Sequence, residues 1–125
     1  MSNTSHITLT VTADAHLARL VRMTAANVAM LSSMSVDRVE DVRMAAEEAF
    51  IYACAAAPGS ELAIDFEADA EHVAMVFELD APAFAEPGDG DPTAAYADLI
   101  LASVCDSYGK RSDPATLLLD VKADV

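Results

Sequence analysis

The hydrophobic period of this chain changes abruptly at Pro58-Gly59, and that change decides most of what it can fold into. Before it, Val36, Val39, Val42, Ala46, Ala49, Phe50 and Ala53 recur at helical spacing, which predicts a helix with one apolar stripe. Ser35 supplies a capping oxygen, Asp37, Glu40 and Asp41 complement the positive end of the helix dipole, and Pro58-Gly59 stops the helix. After it, the period falls to two in Glu61-Leu-Ala-Ile-Asp-Phe-Glu67 and again in His72-Val-Ala-Met-Val-Phe-Glu-Leu79. A short acidic turn, 68–71, separates these runs, as an antiparallel hairpin requires.

The remaining elements follow from the same reasoning. His6-Ile-Thr-Leu-Thr-Val-Thr12 alternates Ile7, Leu9 and Val11 with threonines and reads as the first strand. Thr12 or Asp14 caps a helix running to about Ser32, with Leu17, Leu20, Val21, Val28 and Leu31 at three- and four-residue steps. The stretch Asp80 to Pro92 holds Pro82, Pro87, Gly88, Gly90 and Pro92 and reads as one long loop. Thr93 caps a third helix to about Ser107, with Tyr96, Leu99, Ile100 and Val104 as its buried face, and Thr116 to Val121 closes as the last strand. The order of strand, two helices, two strands, helix and strand predicts a single α/β (α+β) domain over residues 1–125. Its architecture is a two-layer sandwich, with a mixed, mostly antiparallel sheet and three helices on one face.

Charge narrows the partners. Seven Lys and Arg face 21 Asp and Glu, a net charge of -14 that repels phosphate backbones and anionic lipid, so neither nucleic acid nor a membrane is expected as a direct partner. The start lacks a basic region followed by an apolar core, and no run of about 18 apolar residues occurs, so a cytoplasmic protein is expected. Cys54 and Cys105 lie far apart in apolar surroundings and read as buried reduced thiols. His6, His16 and His72 have no partner at metal-ligand spacing and read as surface histidines. Gly88-Asp-Gly90 lacks both the lysine of a P-loop and the ligand spacing of an EF-hand, and reads as a flexible tip. Of the seven basic residues, Arg19, Arg22, Arg38 and Arg43 fall on the first two helices, and Arg22 or Arg19 reads as a partner contact or as an ion pair to Glu40 or Asp41.

The segment Val39-Glu-Asp-Val-Arg-Met-Ala-Ala-Glu-Glu-Ala-Phe-Ile-Tyr-Ala-Cys54 resembles the long helix of the GHKL ATPases, specifically the anti-sigma-factor serine kinases of the RsbW and SpoIIAB kind. Glu40-Asp41, Ala45, Glu48-Ala49 and Ala53 fall in register on that family's helix, Leu20-Val-Arg22 sits at its first-helix position, and the hairpin ends at Asp80 as the family's does. The resemblance implies a Bergerat-type fold and, in an intact member, MgATP. Glu48 matches the family's catalytic base, and Asp80 matches the aspartate that reads adenine. One turn after the base, where the family carries a magnesium-ligating asparagine, this chain has Tyr52. A phenol is a poor ligand for a hard cation.

Two further departures accompany Tyr52. After Asp80 the chain reads Ala81-Pro-Ala-Phe84 without the family's glycines, and Pro82 restricts its own backbone and that of Ala81. The entry to the last helix, Asp91-Pro-Thr-Ala-Ala-Tyr96, lacks the glycine-rich turn that would donate N–H groups to phosphates, and Asp89 and Asp91 add negative charge there. Metal chelation, loop flexibility and phosphate cradling are all weakened, so the expected function is anti-sigma-factor-like regulation by protein binding. Glu48 is then a vestigial base, and Tyr52 and Asp80 belong to a degenerate nucleotide pocket. The implied partners are a sigma factor or a STAS-domain anti-anti-sigma protein, with homodimerisation common in the family. The interface is expected on the long loop and the outer faces of the first two helices. An ATP-dependent serine/threonine kinase using Glu48 and Asp80 is the alternative, and a sandwich domain with an unrelated ligand is a third reading.

Overall fold

The computed structural model of the chain describes residues 4–84 and 92–125, the side chains of 92 and 93 excepted. The element order is β1 (Ser5–Thr12), a 3-10 turn (Ala15–Leu17), α1 (Ala18–Ala29), α2 (Val36–Ala56), β2 (Glu61–Ala68), β3 (His72–Leu79), α3 (Pro92–Val104), β4 (Ser107–Arg111) and β5 (Thr116–Lys122). The strands form one sheet in the order β1-β2-β3-β5-β4. Each side-chain alternation of the hairpin becomes a buried row: Leu62, Ile64 and Phe66 on β2 and Val73, Met75, Phe77 and Leu79 on β3 all face the helices. Leu117, Leu119 and Val121 of β5 complete that face. Burying Phe50, Phe66 and Phe77 to completion gives the sandwich its largest apolar contributions.

The caps behave as the sequence requires. The Ser35 hydroxyl accepts from the Arg38 N–H at 3.2 Å to open α2, and Asp14 accepts from the His16 N–H at 3.1 Å to open the 3-10 turn. After α2 the chain turns at Gly59, whose φ of 76° is a conformation other residues resist, and its N–H donates to the Ala13 carbonyl at 3.0 Å.

Several expectations are corrected. Every strand pairing is antiparallel, so the sheet is not mixed. The cause is β4, an edge strand absent from the sequence reading: α3 ends at Val104 rather than Ser107, and β4 then forms a second hairpin that delivers β5 antiparallel to β3. On α1 the buried residues are Val21, Ala25, Val28 and Ala29, while Leu20 turns outward, Leu31 is exposed beyond the helix, which ends at Ala29 rather than near Ser32, and Val36 on α2 is exposed as well. On α3 the buried residues are Ala97 and Leu101, with Tyr96 and Leu99 exposed. This helix is apolar on nearly every side, so its period does not mark an inner face. The helix begins at Pro92, which places Thr93 inside its first turn instead of at the cap.

Cys54 and Cys105 are buried and unpaired, and burial raises their thiols to about 11 and about 12, so both are inert at neutral pH. Among the described residues no helix is long and apolar enough to cross a membrane.

Candidate functional site

Glu48 and Tyr52 lie one turn apart on α2, and the side chain of Tyr52 is turned inward into a cluster contributed by three other parts of the chain. Its ring meets Phe84 at a centroid distance of 5.3 Å with the planes tilted by 45°. Its hydroxyl accepts a hydrogen bond from Lys110 Nζ at 3.0 Å. The same ammonium lies 5.2 Å from the Tyr52 ring centroid and 5.8 Å from that of Phe84, within the range of cation–π attraction. Lys110 also pairs with Asp98 Oδ2 at 3.0 Å, and Asp98 Oδ1 accepts from the Tyr108 hydroxyl at 2.6 Å.

Local structure explains the convergence. Tyr108 and Lys110 are two residues apart on β4, opposite Leu119 and Leu117, and so project from the face of the sheet that carries the helices. Asp98 reaches them from α3, and Phe84 from the segment after β3. That segment is tied down by its backbone: the Ala81 carbonyl accepts from the Ala115 N–H at 2.8 Å, and the Pro82 carbonyl from the Asp113 N–H at 2.7 Å.

The electrostatics are internally balanced. Burial works against the charge on Lys110, but the bonds to Tyr52 and Asp98 outweigh it and hold the ammonium above its usual range. Burial first, then the Asp98 carboxylate, push the Tyr108 hydroxyl well above the ordinary phenol range, so it stays a neutral donor. An oxygen already accepting from an ammonium group has little capacity left for a metal cation. Among the described residues no group of three or more His, Cys, Asp or Glu side chains is placed to hold a metal ion.

Glu48 is half-buried and, among the described residues, has no hydrogen-bond or ion-pair partner. Partial burial and the adjacent Glu47 carboxylate raise its pKa. Asp80 is exposed, and with Glu61, Ala63, Glu78 and Leu79 it lines a hollow of about 330 Å³ at the end of the β2–β3 hairpin. No hydrogen bond, ion pair or ring contact among the described residues joins Asp80 to Glu48 or Tyr52. Of the three sequence-derived positions, Glu48 and Tyr52 share one turn of α2, and Asp80 lies just past the end of β3.

No family model matches the chain, and no curated protein matches it.

Other sequence expectations resolve as follows. Arg22 pairs with Glu47 at 2.9 Å, not with Glu40 or Asp41. Glu40 instead pairs with Arg43, and Asp41 with Arg38. His72 is not a free surface histidine: it is half-buried, with Nδ1 2.6 Å from Asp120 and Nε2 3.3 Å from Asp69. The Gly88-Asp-Gly90 tip, Asp89, Asp91 and most of the long loop lie outside the described residues. Sequence reasoning missed Asp98, Tyr108 and Lys110. Their signal was faint: one of only two lysines, two residues from a tyrosine, in a stretch too short to show a period.

Proposed function

We propose that this chain is a regulatory binding protein similar to anti-sigma factors of the RsbW and SpoIIAB kind, in which ATP hydrolysis and serine phosphorylation have been lost. It acts in the cytoplasm, as a homodimer, by binding a sigma factor or a STAS-domain anti-anti-sigma protein. The observation that carries this reading is the position of Tyr52. One turn after Glu48, where the resemblance implies a metal-ligating amide, a buried phenol packs on Phe84 and spends its oxygen on Lys110. The chain's own ammonium stands 3.0 Å from that oxygen, where it opposes a second cation by charge and by volume. Asp80, the adenine-reading position in the resemblance, is exposed and lines a hollow with Glu61, Ala63, Glu78 and Leu79.

One observation favours the kinase reading. Among the described residues Glu48 has no bonding partner, and it is half-buried with its pKa raised by burial and by Glu47, the direction a general base requires. Binding assays separate the two. Purified sigma factors and STAS-domain proteins are titrated onto the chain with and without MgATP. A complex unchanged by nucleotide, with no phosphoserine formed on the STAS protein, is expected. Phosphoserine formation that depends on Glu48 overturns the loss of catalysis, and absence of any complex with either class retires the anti-sigma reading.

A further inference from the structure

Helix α1 ends at Ala29 and α2 begins at Val36, and the connection between them leaves apolar side chains uncovered. Met30 is 73% exposed, Leu31 54% and Val36 81%. Met30, Met34, Val36 and Val39 line a cleft of about 340 Å³, with Ser32 and Glu40 at its sides. This is a ligand-sized concavity. The Ser32 hydroxyl oxygen is buried and has no hydrogen-bond partner, the sole such side-chain atom among the described residues. Methionine suits a surface that must adapt to an incoming apolar side chain, because its thioether is unbranched and polarisable.

The charge around the cleft indicates what covers it. Asp37 and Glu40 lie beside it on α2, and Asp124 hydrogen-bonds the backbone and hydroxyl of Ser35. The neighbouring hairpin turn, bonded to this connection through Ser33 N–H and the Ala70 carbonyl at 3.1 Å, adds Asp69 and Glu71. The nearby cations are committed: Arg43 to Glu40, and Arg38 to Asp41, Asp106 and the Lys122 carbonyl. His72 is held between Asp69 and Asp120, which leaves Lys122 as the exposed exception. A second copy would bring the same acidic rim against this one and be repelled. Backbone pairing has no template here, since β3 and β5 are interior strands, so side-chain anchors from a helix are the matching mode.

We infer that the Met30–Met34–Val36–Val39 cleft docks a basic amphipathic helix of a partner protein, whose apolar anchors enter the cleft while its Lys and Arg meet Asp37 and Asp124. The cleft lies at the opposite end of α2 from Tyr52, so this docking stands or falls independently of the nucleotide question.

The test uses the full chain and two fluorescent synthetic helical peptides, one of leucine and lysine, the other with glutamate in place of each lysine. Anisotropy is read for the wild-type chain and for Met30→Glu and Val36→Glu, both at exposed positions, with circular dichroism as the check that each variant is folded. The basic peptide is expected to bind the wild type, the acidic peptide not, and each variant to bind the basic peptide about tenfold or more weakly, equivalent to about 1.4 kcal/mol. The added negative charge sharpens the contrast, because attraction by net charge alone would make the variants bind more tightly. Equal or tighter binding by the variants overturns the inference, as does no binding of the basic peptide. Wild-type self-association that Met30→Glu abolishes would assign the cleft to a second copy and overturn it too.

Discussion

Lys110 does more for the Tyr52 cluster than any other side chain, because one ammonium serves a phenol oxygen, a carboxylate and two ring faces. Replacing it by Met keeps the volume but removes those bonds, and about 1–2 kcal/mol of stability is expected to be lost in denaturant titration, a value held down by partial exposure. Tyr52→Phe removes only the hydroxyl and is expected to cost about 1 kcal/mol, so a neutral result would show the bond to be inconsequential. Tyr52 was legible in the sequence as the wrong residue for a metal site, but its partners were not, because a side chain 58 positions away becomes a neighbour only through the fold. His72 carries a pH signature. Its hydrogen bond to Asp120, against some burial, raises its pKa above 6.5, so its contribution to stability is present below that value and is lost as pH rises through the folded value. Urea midpoints are therefore expected to fall across neutral pH for the wild type, and His72→Gln is expected to flatten that dependence.

Helix α2 is the element that organises both ends of the fold, with Arg38 securing its first turn. The Arg38 guanidinium donates to the Lys122 carbonyl at 2.8 Å, to Asp41 at 3.0 Å, to the Val104 carbonyl at 3.4 Å and to Asp106, joining α2, the end of α3 and β5. Arg38→Ala is expected to cost about 2–4 kcal/mol, because it leaves carboxylate and carbonyl groups without their donor. Arg38→Lys is expected to recover little, since a point charge cannot satisfy acceptors in several directions, and a variant as stable as wild type would contradict this. The long, capped and strongly periodic elements were readable in advance: α2 from Ser35 to Pro58-Gly59, and the hairpin from its acidic turn. Strand β4 was not, because Ser107–Arg111 is short, lies at a sheet edge and includes Gly109, which leaves Tyr108 as its one large apolar residue. The inner face of α3 was misread because Ala, Leu and Ile surround the helix, so contact with the rest of the fold, not period, selects Ala97 and Leu101.

Across the whole molecule, a net charge of -14 on 125 residues opposes compaction by self-repulsion. Screening relieves it, with the Debye length falling from about 30 Å at 0.01 M salt to about 3 Å at 1 M. The Tm is expected to rise over that range in sodium chloride, and a fall would mean that the ion pairs of Arg22, Arg38 and Arg43 outweigh the repulsion. The two-layer sandwich was legible from the order of elements, whereas the candidate site was legible only as departures at single positions. What fills the space beside Tyr52 emerges from α3 and β4 closing over α2. The central claim is that this space belongs to the chain's own side chains. Calorimetric titration of the purified protein with ATP and ADP, with and without magnesium, tests it most directly. No binding at millimolar nucleotide is expected in any combination, and saturable, magnesium-dependent binding at micromolar concentration would contradict the account.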